Sequence, residues 1–291
     1  MNRKNVPTPR PKLRGSGRNI KLTIEYAGTS YSGWQVQNSR TPHAARRTPK
    51  TIQETIEKAL QKILRKKTKL IGSGRTDAGV HAQAQVANFK TDSSIAIEKL
   101  CKALNAVLPD NISVIRTEEA RADFHSRFSA KSKVYRYTIL NRPYRSAILR
   151  DTAYFFPYPL NLKLMRKEAG ILLGRHDFKS FCASGSNTKE TIRTIKRITI
   201  RKLTYNLSPI THNLNEFPLI LIDMEADGFL YNMVRNIAGT LIEIGRGKFS
   251  EGSTKKILLA RNRKFAGPTA PAKGLCLLEV KYQDTKQDPR S

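Results

Sequence analysis

The chain is poor in acidic residues and has no long apolar run. Its 291 residues contain 23 Asp and Glu against 53 Lys and Arg, so the formal net charge is +30. Apolar runs such as Ile220 to Ile222 are far shorter than the ~20 residues that a membrane helix requires. The sequence therefore predicts no membrane segment, and its charge favours a polyanionic partner such as a nucleic acid.

Cysteine is also scarce. Cys101, Cys182 and Cys276 stand far apart and form no C-x-x-C pair. This spacing excludes a disulfide framework, argues against a zinc site and favours a reducing compartment, which we take to be the cytoplasm. Hydrophobic residues make up 39% of the chain, enough for a packed core of one large domain or two smaller ones.

The N-terminal segment lacks both an apolar stretch and acidic residues. No acid precedes Glu25, and the absence of an apolar core excludes a secretory signal. An organellar transit peptide is also poor in acids, but this segment is rich in proline and has no amphipathic stripe. We predict a disordered basic arm over residues 1–19. A second acid-free stretch covers residues 38–50.

Hydrophobic periodicity predicts the same order of elements twice. Residues 20–130 contain strand, helix, strand, strand, helix and strand, and the first helix begins with a capping box formed by Thr51 and Glu54. Residues 131–283 repeat this order, with an extra helix over residues 253–260 and a tail over 284–291. Two βαββαβ units predict an α+β fold of two ferredoxin-like halves with a mainly antiparallel sheet. The natural place for a site is the cleft between the halves.

The densest cluster of chemically notable residues is Gly72 to His81. Three glycines within eight residues allow a sharply bent backbone that can approach a ligand closely. No Gly-Lys-Ser/Thr follows, and Asp77 occupies the place of the third glycine of a dinucleotide loop, so neither phosphate-binding motif is present. By residue type alone, Asp77 is either part of an Asx-turn with a structural ion pair or a nucleophile held in a bent loop.

Six segments, in order along the chain, resemble the tRNA pseudouridine synthase A family. Residues 74–81 (GRTDAGVH) resemble its active-site motif, and residues 31–37 (YSGWQVQ) resemble its Y-x-GWQ-x-Q segment. The others are residues 123–130 (DFHSRFSA), 133–137 (KVYRY), 229–237 (FLYNMVRNI) and 270–275 (APAKGL). Together they span about Ile20 to Tyr282. The basic segment before Ile20 and the longer stretch between Gln37 and Thr51 depart from the family pattern.

The resemblance implies isomerisation of uridine to pseudouridine in the tRNA anticodon stem-loop, at nucleotide positions 38 to 40. It makes Asp77 the catalytic aspartate, Arg235 its partner and Tyr135 the tyrosine that packs on the target base. The reaction is redox-neutral, so we expect no cofactor and no metal. Attack at C6 of uracil and assistance at C1′ of the ribose both remain open. The resemblance also implies a homodimer in which one tRNA touches both subunits.

Further arginines are candidates for RNA contact. By resemblance, Arg75 fills the space that the flipped uridine leaves, and Arg127 lies within a family motif. Arg193 and Arg197, with Lys196 and Arg201, predict a phosphate-contacting stripe on one strand, although any one of them alone is more often a solvated charge. We interpret His81 and His125 as structural hydrogen-bonding residues and Trp34 as a packing residue.

Two other functions compete with the synthase. A non-catalytic basic RNA-binding protein of the translation apparatus would carry the same charge, but it has no reason to keep the set Asp77, Tyr135 and Arg235. A basic glycosidase or nuclease would need a second carboxylate near Asp77 or a metal cluster, and the sequence offers neither.

Overall fold

The computed structural model describes residues 17–35, 50–185, 188–206 and 216–283. The predicted arm lies outside this range up to residue 16, as do most of the acid-free stretch at 38–50 and the tail at 284–291. Among the described residues, no helix combines the length and apolar character that a membrane crossing needs.

The first unit follows the predicted order of elements. It comprises β1 (Arg18–Tyr26), α1 (Ile52–Leu64), β2 (Ile71–Gly72), β3 (His81–Thr91), α2 (Ile97–Asn105) and β4 (Ile112–Ala120). The Thr51 hydroxyl accepts a hydrogen bond from the amide of Glu54 at 3.2 Å, so the predicted cap of α1 is confirmed. The Glu54 carboxylate instead pairs with Lys58 one turn later.

The second unit contains the predicted elements and two short additions. It comprises β5 (Ala130–Leu140), β6 (Tyr154–Phe155), α3 (Leu162–Gly170), β7 (Gly174–Asp177), β8 (Ile192–Asn206), β9 (Glu216–Ala226), α4 (Met233–Gly245), α5 (Ser253–Ala260) and β10 (Leu275–Tyr282). The sequence did not predict β6 and β7, which are too short to show a period. Helix α4 begins three residues after its predicted start at Leu230, because Asn232 adopts a left-handed conformation with φ of 58°.

The ten strands of the described residues belong to one sheet, which confirms the predicted α+β class. Its main order is β4-β1-β3-β10-β5-β9-β8-β7, with β2 paired to β3 and β6 paired to β5. If the short β6 and β7 are left aside, each unit has four strands. In each unit the fourth strand then lies beside the first, the first beside the third and the third beside the second. This is the order of a ferredoxin-like unit. Most neighbouring strands run antiparallel, as predicted.

The two units join through β10, which lies between β3 and β5. Its contact with β3 is parallel and consists of two residue pairs, Cys276 with His81 and Leu277 with Ala82. Along β5 it pairs antiparallel from Leu275 to Tyr282. The join therefore places the start of β3, which follows the Gly72 to His81 loop, two strands away from β5 and Tyr135.

Helices cover one face of this sheet and bury its apolar residues. Helix α2 packs against β4, α3 against β8 and α4 against β5. The core contains Ile20, Leu22 and Ile24 of β1 together with Tyr137 of β5, all fully buried. Tyr135 belongs to the same cluster, so the helix-covered face of β5 is also the face that carries the predicted site.

Candidate active site

Asp77 lies in a bent loop between β2 and β3. The amide of Ser73 donates to the carbonyl of Val86 at 2.7 Å, and the amide of Val80 donates to the carbonyl of Asp77 at 3.2 Å. Gly79 adopts a φ of 78°, a left-handed conformation that side chains disfavour. The glycines predicted to bend this loop therefore do so at Gly79, and the bend leaves the Asp77 side chain 27% exposed.

The segment around Gly33 and Trp34 packs against this loop and supports it. Gly33 adopts a φ of 92°, and a methyl group there would lie 2.6 Å from the carbonyl oxygen of Thr76. The amide of Trp34 donates to that same oxygen at 3.0 Å. Trp34 is buried beside Tyr26, with ring centroids 6.0 Å apart, as expected for a packing residue. The segment around Gly33 and Trp34 therefore fixes the position of the backbone next to Asp77.

A buried polar network holds the loop from the side of β3. The hydroxyls of Tyr26 and Thr76 are hydrogen-bonded at 2.7 Å. Ser73 donates to Gln85 Oε1 at 2.6 Å, and Gln85 Nε2 donates to the carbonyl of Gly74 at 3.0 Å. Local sequence patterns did not predict these supporting residues. Strand β3 mixes apolar residues with polar ones such as Gln83, Gln85 and Asn88, so nothing in its pattern marks Gln85 as a buried support of the loop.

Arg235 brings the second unit to the Asp77 carboxylate. Its Nη1 lies 3.7 Å from Asp77 Oδ2. Two hydrogen bonds orient the guanidinium: Nε donates to the carbonyl of Ala270 at 2.7 Å, and Nη1 donates to Asn232 Oδ1 at 2.9 Å. The left-handed turn at Asn232 ends the preceding segment just where its side chain can accept this bond. The ion pair therefore joins two residues that are 158 positions apart in the sequence.

The charge state of Asp77 reflects two opposing influences. Burial raises its pKa above the ordinary value, and the nearby Arg235 guanidinium lowers it, with burial the larger of the two. The carboxylate consequently carries a negative charge that its surroundings only partly compensate. Such a group is more basic and more nucleophilic than a solvated aspartate.

Tyr135 lies on β5, close enough to Asp77 for the carboxylate to act on its hydroxyl. It is 7% exposed, and its ring contacts Phe229 edge to face with centroids 5.1 Å apart. Burial, followed by the nearby Tyr26 hydroxyl and the Asp77 carboxylate, raises the pKa of the Tyr135 phenol. The phenol is therefore neutral at physiological pH. The structure brings together Asp77, Arg235 and Tyr135, the three residues that the sequence predicts as catalytic.

The predicted RNA-contacting arginines are more scattered. Arg75 and Arg127 are exposed, and the Arg127 guanidinium lies 5.6 Å from the ring centre of Phe128. Arg193 shares the face of Tyr135 and lies against Gly228, one residue before Phe229. Its Nη1 donates to two nearby carbonyl oxygens, of Glu190 and Ile192.

Arg197 lies on the opposite face of the sheet. A bulge between Ile195 and Arg197 shifts the register of β8 against β9, so that Arg197 is paired with Glu225. The two side chains form an ion pair at 3.7 Å. Because β9 residues alternate between faces, Glu225 points away from Tyr135. The single basic stripe that the sequence predicts is therefore divided between two faces.

The histidines of the motifs take part in backbone contacts. His81 Nδ1 accepts from the amide of Gly28 at 3.2 Å, and His125 Nδ1 accepts from the amides of Arg127 and Phe128. Both contacts agree with the structural interpretation. Within the described ranges, no group of three or more His, Cys, Asp or Glu residues is arranged to hold a metal ion.

Comparisons with known proteins identify the family of the chain. The sequence profile of a family described as tRNA pseudouridine synthase matches residues 22–129 and 169–283. The chain is 45% identical over 265 residues to tRNA pseudouridine synthase A of Thermoanaerobacter sp. (strain X514), covering 91% of this chain and 100% of that protein. The proteins of the same name from Acetivibrio thermocellus and Caldicellulosiruptor bescii are 43% and 45% identical, with the same coverage. Similarity of this extent, across both units and including the Asp77 loop of the first, shows that the chain belongs to the tRNA pseudouridine synthase family.

Proposed function

We propose that this chain isomerises uridine to pseudouridine in the anticodon stem-loop of tRNA, at nucleotide positions 38 to 40, with Asp77 as the nucleophile. Membership of the family supports an isomerase acting on tRNA. The observation that carries the residue assignment is the Asp77 carboxylate, held in a bent loop 3.7 Å from the Arg235 guanidinium and beside the buried Tyr135.

The reaction explains why a single carboxylate suffices. The bond between N1 of uracil and C1′ of ribose breaks, the ring turns, and a new bond forms between C5 and C1′. The C5 proton leaves and N1 gains a proton, so atoms and charge balance without an oxidant or reductant. Unlike a glycosidase, the enzyme keeps its leaving group in the site and needs no second carboxylate to activate water. Asp77 attacks C6 or assists at C1′.

Arg235 and the cleft keep Asp77 ready for this step. Its guanidinium offsets part of the cost of burying the carboxylate, so the charged form persists at neutral pH. The contact of 3.7 Å is longer than a hydrogen bond, so both carboxylate oxygens stay available for the substrate. Arg235 therefore stabilises the nucleophile without occupying it.

Tyr135 packs on uracil and assists the removal of the C5 proton. Because its phenol is neutral, it can accept that proton on its oxygen only while passing its own proton to a neighbour. The edge contact with Phe229 fixes the plane of the ring against which a base would stack. The exposed Arg75, two residues before Asp77, fills the gap that the flipped uridine leaves in the stem-loop.

The decisive experiment maps pseudouridine in unmodified tRNA transcripts incubated with the protein in the presence of EDTA. We expect modification at positions 38 to 40 with no added cofactor. Asp77→Asn keeps the size of the side chain but removes its negative charge, so we expect binding within about tenfold of wild type and no turnover. Asp92→Asn is the matched control, since Asp92 is exposed and pairs with Lys66. Wild-type turnover by Asp77→Asn would contradict the assignment, and binding without modification by the wild type would identify a non-catalytic RNA-binding protein.

We also propose that the protein works as a homodimer in the cytoplasm. The dimer follows from the resemblance, in which one tRNA touches both subunits. The three cysteines are free thiols, which suits a reducing compartment. Burial raises the pKa of the Cys276 thiol to about 12, so it stays protonated and unreactive. Light scattering during size-exclusion chromatography, with and without tRNA, tests the dimer.

A further inference from the structure

Lys133 lies beside the Gly72 to His81 loop and has no counter-ion in the described part of the chain. It lies on β5, two residues before Tyr135, and its side chain is half-buried. Its stem and ammonium pass close to Gly74, where an added methyl group would lie 3.2 Å from Cε and 3.5 Å from Nζ. The absence of a side chain at Gly74 therefore leaves the space that the Lys133 ammonium occupies.

The electrostatic surroundings of Lys133 are unfavourable. Burial is the main influence that lowers the pKa of its ammonium, and the positive charge of Arg127 lowers it further. Among the described residues, no carboxylate contributes to stabilising this charge. Arg127 itself rests on the ring of Phe128. The Lys133 ammonium is thus half-buried near a second cation, at a cost in free energy that no described carboxylate offsets.

Other cations on the same sheet do not share this situation. Arg136, the next basic residue along β5, forms two hydrogen bonds to the Asp223 carboxylate at 2.7 and 2.9 Å. Lys281 of β10 pairs with Glu225 at 2.9 Å. Both pairs lie on the face opposite Tyr135, whereas Lys133 lies on the same face as Tyr135. The missing partner at Lys133 is therefore specific to the side where the substrate would bind.

We propose that Lys133, with Arg127 beside it, binds a backbone phosphate that flanks the target uridine. This inference rests on the proposed function, because it needs a nucleotide whose base packs on Tyr135. Lys133 and Tyr135 are separated by two residues of extended strand, about 7 Å, and point to the same face. A base held against Tyr135 brings its own backbone to the Lys133 side of the cleft. A phosphate there supplies the negative charge that the two cations lack.

Two properties of a Lys133→Met variant test this role. Methionine fills a similar space and carries no charge, so its unfolding temperature should equal or exceed that of the wild type. Its affinity for tRNA should fall about 10- to 100-fold, as expected when a charged hydrogen bond is lost. Lys133→Arg should restore most of that affinity. Lys99→Met is the control for loss of charge alone, because Lys99 is exposed on α2, which packs against β4 at the far edge of the sheet.

A neutral backbone linkage identifies the phosphate. Binding is measured with tRNA assembled by ligation to carry one methylphosphonate on the 5′ side of the target uridine, on its 3′ side, or in the acceptor stem. Each protein carries Asp77→Asn so that the target is not consumed. One flanking methylphosphonate should remove the difference in affinity between the protein that retains Lys133 and the Lys133→Met variant, and the acceptor-stem linkage should leave that difference unchanged. An equal loss for Lys133→Met on all three RNAs, or a fall in its unfolding temperature that accounts for the lost binding, would overturn the proposal.

These measurements distinguish a failure of the proposed function from a failure of the phosphate site. Absence of pseudouridine after incubation of wild-type protein with unmodified tRNA refutes the proposed function. Normal pseudouridine formation with no coupling between Lys133 and either flanking phosphate refutes only the phosphate site. Normal formation together with coupling to one flanking phosphate supports both.

Discussion

Substitution of Gly33 offers a direct test of how the loop around Asp77 is supported. Gly33 adopts a φ of 92°, where an alanine is strained by about 1 to 2 kcal/mol. Its methyl group would also lie 2.6 Å from the Thr76 carbonyl oxygen, about 0.8 Å short of an ordinary contact at 3.4 Å. That oxygen belongs to the backbone and accepts a hydrogen bond from Trp34. The loop must therefore move, at a further cost of about 1 to 3 kcal/mol.

Gly247→Ala separates this contact from backbone strain. Gly247 has a φ of 83°. Apart from its two neighbours in the chain, no described residue has a heavy atom within 4 Å of a methyl group placed there. Both variants should lose stability from the positive φ, at about 2 °C of unfolding temperature for each kcal/mol. Only Gly33→Ala should also lose the stability that moving the loop costs. Its single-turnover rate should fall about 10²-fold, because a displacement near 1 Å moves Asp77 out of register with the substrate. Equal stability losses together with a wild-type rate for Gly33→Ala would refute this account of the loop.

Three further predictions concern the charged and hydroxyl groups of the site. The single-turnover rate should fall at acidic pH as Asp77 becomes protonated, with a midpoint above the ordinary Asp pKa of 3.8. Arg235→Gln should move this midpoint to higher pH, because it removes the charge that lowers the pKa of Asp77. An unchanged midpoint would show that another group titrates. Tyr135→Phe keeps the ring and loses the hydroxyl, so pseudouridine formation should slow by about 10² to 10⁴ while tRNA affinity stays near wild type, as measured by tritium release from C5-labelled tRNA and a binding isotherm. Because the pKa of Asp77 is raised in the folded state, its ionised carboxylate destabilises the fold at pH 7. Asp77→Asn should therefore unfold at an equal or higher temperature than wild type at pH 7, and this difference should disappear below the pKa that Asp77 has in the unfolded chain. A lower unfolding temperature for Asp77→Asn at pH 7 would contradict this expectation.

Local patterns predicted the elements that are long enough to have a period. The apolar face of α1 and its cap at Thr51 are present as predicted, as is the extra helix at Ser253–Ala260. Strands β6 and β7 contain two and four residues, and their pairing depends on neighbours that are distant in sequence. The start of α4 depends on the left-handed conformation of Asn232, which an asparagine allows but does not require.

The site itself could be predicted only in part. No local pattern states that Asp77 and Arg235 meet, since they come from different units; the family resemblance supplied that expectation. The division of Arg193 and Arg197 between two faces follows from one extra residue in β8, which alternation alone cannot reveal. Lys133 stands in one of the segments that resemble the family, but the sequence assigns it no role. Its importance depends on the absence of a neighbouring carboxylate among the described residues, which is a property of the fold.

The central position of β10 sets the order in which the molecule can be completed. This strand is the last of the ten to be synthesised, yet it lies between β3 and β5. Until it is in place, the parts of these two strands that β2 and β6 leave unpaired can pair with other chains. The segment just before it supplies the Ala270 carbonyl that orients Arg235. A nascent chain that already contains Asp77, Tyr135 and Arg235 therefore still lacks a finished site, and a stop codon before Leu275 should yield an insoluble product instead of a weakened enzyme.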